Sequence, residues 1–63
     1  MKNFIVSYER NNVCQALIVK AENLETAESF FKNRKPDAVF YGIREQANIS
    51  TEIKKGMPII TAE

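Results

Sequence analysis

Sixty-three residues make one small domain, and 44% hydrophobic with 27% charged content is the composition of a folded chain rather than a disordered one. Nine Lys and Arg against eight Asp and Glu leave a net charge of +1, which excludes a global pull toward nucleic acid or an anionic membrane. No apolar run approaches the ~20 residues of a membrane helix, and a single cysteine, Cys14, excludes an internal disulfide.

A chain of this size hides only about 60% of the surface it exposes when unfolded. Its net stability is then about 3–5 kcal/mol. The lone thiol fits a reducing compartment. Only three apolar residues, Phe4 to Val6, follow Met1-Lys2-Asn3, a run too short for a secretory h-region. A cytoplasmic protein with no membrane association is expected.

Residues 3–9 and 13–21 are rich in β-branched and aromatic side chains and read as two strands. Asn11-Asn12 between them tolerates the positive φ angles of a type I′ turn. A two-residue loop there pairs Tyr8 with Gln15, Val6 with Leu17 and Phe4 with Val19. Phe4, Val6, Tyr8, Leu17, Val19 and Ala21 then share one face. Ile5, Ser7, Glu9, Cys14, Ala16, Ile18 and Lys20 share the other. The first face is the more apolar, so pattern and register agree.

A helix follows. Asn23 is a good N-cap, and Glu25 suits the positive end of the helix dipole. Leu24, Ala27, Phe30, Phe31 and Arg34 recur at three- and four-residue spacing and form the stripe expected on the sheet. Glu28 and Lys32 are an i,i+4 pair on the wet side. Lys32, Arg34 and Lys35 crowd the C-terminus, and Pro36 ends the helix.

Asp37 to Arg44 reads as the third strand, with Val39, Tyr41 and Ile43 alternating with Ala38, Phe40 and Gly42. Gly42 signals a bulge or a close approach. The polar stretch 45–55 contains Ser50, a candidate cap for one helical turn ending at Gly56. Residues 57–61 form a short last strand, with Pro58 suited to a sheet edge. The expected fold is α+β, β-β-α-β(-β), with one helix on one face of a small, mainly antiparallel sheet. Residues 1–44 make the ββαβ core, and 45–63 a polar connection plus the terminal strand. The favoured strand order is 2-1-3 with the fourth strand outside the third, and a 2-3 parallel contact competes with it.

The stretch Val19-Lys-Ala-Glu-Asn-Leu-Glu-Thr-Ala27 resembles a strand-to-helix pattern of small bacterial, phage and mobile-element proteins. In these, Val-x-Ala ends a strand and an acidic helix start leads to a packed Ala. The likeness covers roughly residues 16–31, and the Gly56-Met-Pro-Ile-Ile ending adds a local one. It implies a ββα(β) core and marks packing positions only, so no functional residue carries over.

The chemistry available is sparse. Without histidine, the commonest general base and the His-dependent triads and zinc sites are missing. Cys14 would sit beside Glu9 and Ala16, which do not favour a thiolate. Glu22, Glu25 and Glu28 lie near one helical face, where helix-start electrostatics explain them. With Gly42 and Gly56 the only glycines, no phosphate loop exists. No enzymatic activity, cofactor or metal is expected.

Two surfaces remain. Ile5, Ala16, Ile18 and Phe40 are candidates for an apolar patch on the second sheet face, fitted to a protein partner or a second copy as a homodimer. The alternative is that the 45–63 tail folds over it. The runner-up is a nucleic-acid contact through Lys32, Arg34 and Lys35, with Tyr41 or Phe40 as a stacking ring.

Overall fold

The computed structural model describes residues 1–62. Strands β1 (Lys2–Arg10) and β2 (Val13–Ala21) form a hairpin, helix α1 (Leu24–Arg34) follows, and β3 (Val39–Glu45) returns. A short helix, α2 (Ser50–Lys54), then leads to β4 (Ile59–Thr61). The four strands make one mixed α+β sheet in the order β3-β1-β2-β4.

The hairpin has the register expected from its turn, with Tyr8 opposite Gln15, Val6 opposite Leu17 and Phe4 opposite Val19. Asn11 and Asn12 adopt φ of 55° and 64°, the left-handed values a two-residue loop demands. Asn23 caps α1, its Oδ1 accepting from the Thr26 N–H at 2.8 Å. Asn23→Ala is therefore expected to cost about 1 kcal/mol, read as a lowered urea midpoint with an unchanged slope. An unchanged midpoint would show that this cap contributes nothing.

α1 covers the first sheet face. Phe4, Val6, Tyr8, Leu17, Val19 and Ala21 are all buried there with Ala27 and Phe31. Phe31 meets the Tyr8 ring at 5.1 Å and the Phe40 ring at 6.0 Å, both tilted. Such geometries add to plain area burial. The Tyr8 O–H donates to Gln15 Oε1 at 3.1 Å, so the buried ring keeps its polar end satisfied. Phe30 is half-buried on the flank of the core. Leu24, the first residue of α1 and expected in the buried stripe, is 43% exposed instead.

Two features of β3 and β4 correct the expected pattern. Ser7 pairs with Gly42 but Tyr8 pairs with Phe40, which leaves Tyr41 as the extra residue of a β-bulge. The bulge resets the alternation, so Phe40 joins Ile43 and Ala38 against the α1 core rather than sharing a face with Gly42. The second correction concerns β4, which lies outside β2, parallel to it, and not outside β3. The reason is a crossover. Residues 46–58 pass over the second face, where Ile49 and Met57 settle on Ile5 and Ile18 and bring the chain out at the far edge. Glu63, included in the expected tail, lies outside the described residues.

α2 starts one residue earlier than a Ser50 cap would place it. Ile49 holds the cap position, and Asn48 Oδ1 accepts from the Ser50 N–H at 3.0 Å. Its end is a Schellman closure, with Met57 N–H donating to the Glu52 carbonyl and Gly56 N–H to the Ile53 carbonyl. Gly56 takes φ of 80° to make it.

Candidate functional site

The second face is where sheet surface remains uncovered. Its upper part is closed, since Ile5, Ile18 and Ile49 are buried together and Met57 packs on them. Ile5 and Ile18 are therefore core residues and not an open patch, because the crossover anchors on them. Phe40 is removed from this face by the bulge. Of the four candidate patch residues, Ala16 alone stays on the uncovered part, half-exposed.

Below α2 the face continues as a low floor. Ser7 stands between its partners Gly42 and Ala16, and Glu9 between Val39 and Cys14. Val39 and Tyr41 are 53% and 56% exposed, and the Cys14 thiol is free and exposed. Apart from Gly42 itself and its two chain neighbours, no heavy atom lies within 4 Å of where a Cβ on Gly42 would stand. A hollow of about 300 Å³ lies here, lined by Ser7, Gly42 and Arg44 with Ile5 and Ile43 at its side. Tyr41, considered from the sequence as a stacking ring, is exposed, whereas Val39 was missed as a surface residue because an unbroken alternation gives no account of the bulge at Tyr41.

A perturbed tyrosine sits on this floor. The Tyr41 O–H donates to Glu9 Oε1, and chiefly for that reason its pKa is raised above the ordinary value of 10.0. The native fold favours the neutral phenol, so this contact is present below pH ~10 and disappears as pH rises past the raised value. An ultraviolet titration is expected to show one tyrosine ionising late, and Glu9→Gln should return it to the ordinary range. If Glu9→Gln leaves that titration where it was, the contact does not form in solution.

The basic end of α1 is tied to its own fold. Lys32 Nζ donates to Glu28 Oε2 at 3.0 Å and lies 5.1 Å from the centre of the Phe40 ring. Arg34 sits over Phe30 at 5.8 Å and Lys35 over Tyr8 at 5.9 Å. Each cation thus has an intramolecular neighbour, as a helix C-terminus favours on its own account. Phe40, one of the two rings considered for stacking, is half-buried against the core.

Among the described residues no three His, Cys, Asp or Glu side chains come together as a metal-binding set. Nor is any helix among the described residues long and apolar enough to cross a membrane. Comparison with known families, curated proteins and solved structures finds no match.

Proposed function

We propose that the chain is a non-enzymatic binding module that docks a protein, or a second copy of itself, through the uncovered part of the second sheet face and the strand edge beside it. One observation carries this reading: a floor of small residues, Ser7, Ala16 and Gly42, flanked by exposed Val39, Tyr41 and Cys14. Exposed aromatic and aliphatic side chains around a flat floor provide area that a partner can desolvate. The resemblance at residues 19–27 supports an accessory or regulatory role in a bacterial or mobile-element setting, and the lone thiol of Cys14 supports a reducing, cytoplasmic one. The nucleic-acid reading draws less support, because Lys32, Arg34 and Lys35 already have neighbours within the fold.

A photo-crosslinker placed at Tyr41 or Ala16, compared with one at Ser29 on α1, tests the reading in host cells. Adducts from 41 and 16 that disappear with Val39→Asp are expected. Equal adducts from Ser29, or none from 41 and 16, would contradict it. Retention of single- or double-stranded probes at low salt, lost when Lys32, Arg34 and Lys35 become alanine, would transfer the case to nucleic acid.

A further inference from the structure

We infer that two copies of this chain pair antiparallel along β3, about a two-fold axis through Ile43, and join their four-stranded sheets into one continuous sheet. The inference rests on the binding reading above and names the partner and the edge.

β3 is the long open edge. It borders β1 on one side only, whereas β4 at the opposite edge has three residues and stands behind Pro58. The Gln46 N–H donates inward to the Asn3 carbonyl, so by strand alternation the backbone groups of Ile43 and Glu45 point outward. Such groups form a template for another strand. The bulge at Tyr41 ends the regular ladder and confines new pairing to residues 42–45.

Within that stretch the choice of axis is narrow. An axis through Arg44 would set two arginines opposite each other, which is destabilising. An axis through Gly42 draws residues 39 and 40, beyond the bulge, into the pairing. The axis through Ile43 sets Ile43 against the partner's Ile43 and Gly42 against the partner's Arg44.

The last pair fits an independent feature. Arg44 is exposed and makes no ion pair among the described residues. The hollow beside Gly42, about 300 Å³, is open above the missing Cβ and is lined by Ser7 and the stem of the chain's own Arg44, with space for one more long side chain. The partner's Arg44 enters that hollow, and the symmetric contact forms at the same time. One edge is paired and one cavity filled, twice over, by the same operation, which is what an isologous interface requires. Tyr41 and Val39 of the proposed docking floor then border the seam.

Sedimentation of the intact chain up to about 1 mM tests the inference. Reversible dimerisation is expected. Gly42→Lys, which the monomer has room for, fills the hollow and opposes the partner's Arg44. It should weaken the dimer roughly tenfold, since the like-charge contact occurs twice. Adding Arg44→Glu should restore it, because the introduced ammonium then faces a carboxylate across the seam, and circular dichroism confirms that both variants fold. A wild-type chain that stays monomeric overturns the inference, yet leaves the binding reading standing if the 41 and 16 adducts form with another protein. A dimer indifferent to Gly42→Lys, or not rescued by the double variant, shows that the copies meet elsewhere.

Discussion

Replacing Phe31 by alanine is expected to unfold the domain at room temperature. Phe31 is 1% exposed and is the one large side chain that α1 buries fully in the core. It touches Tyr8 and Phe40, which come from β1 and β3, so its loss opens a cavity where three elements meet. Phe→Ala substitutions at such sites cost about 3–5 kcal/mol. A chain this small has a margin of about the same size. Phe30→Ala makes the control, because Phe30 stands half-exposed on the flank with Arg34 lying over it. It should cost on the order of 1 kcal/mol. Urea titrations followed by circular dichroism separate the two. A Phe31→Ala chain that keeps the wild-type midpoint would mean that α1 presents a different face to the sheet.

Ile18→Ala is expected to be nearly as damaging for a different reason. Ile18 is fully buried although it points away from α1. Among the described residues the crossover shields it on that side, through Ile49 and Met57. Truncating it should cost about 2–5 kcal/mol. Ile49, 8% exposed at the rim of the same cluster, separates local from global loss. Ile49→Ala should cost about 1–2 kcal/mol and speed amide exchange mainly over residues 46–58, leaving the β1–β2 hairpin protected. If Ile18→Ala proved nearly neutral, the crossover would not lie on this face, and the uncovered area would be larger than described.

The hairpin was legible in the sequence because a single local device determines it. Asn11-Asn12 permits the two-residue loop, and the loop sets the register of every pair above it. The start of α1 was legible for a similar reason, since Asn23 satisfies an orphan amide within its own turn. The position of β4 was not. It depends on Ile49 and Met57 finding Ile5 and Ile18 across the sheet, and the polarity of the surrounding run hides two anchors separated by a helix. The bulge was half legible. Gly42 signalled an irregularity, but the inserted residue is Tyr41, and that one insertion decides which side Phe40 takes. The candidate patch changed as a consequence: Ile5 and Ile18 passed to the core, Phe40 changed faces, and Val39 and Tyr41 took their place at the surface.

Residue-resolved amide exchange along β3, at low and high protein concentration, tests most directly that this strand is an open edge available to a second copy. In dilute solution Arg44 and Gln46 should exchange slowly, as inward donors to β1, while Ile43 and Glu45 exchange fast; at high concentration Ile43 should become slow as well. Slow exchange at Ile43 and Glu45 already in dilute solution, or no difference between neighbouring residues, would contradict the account.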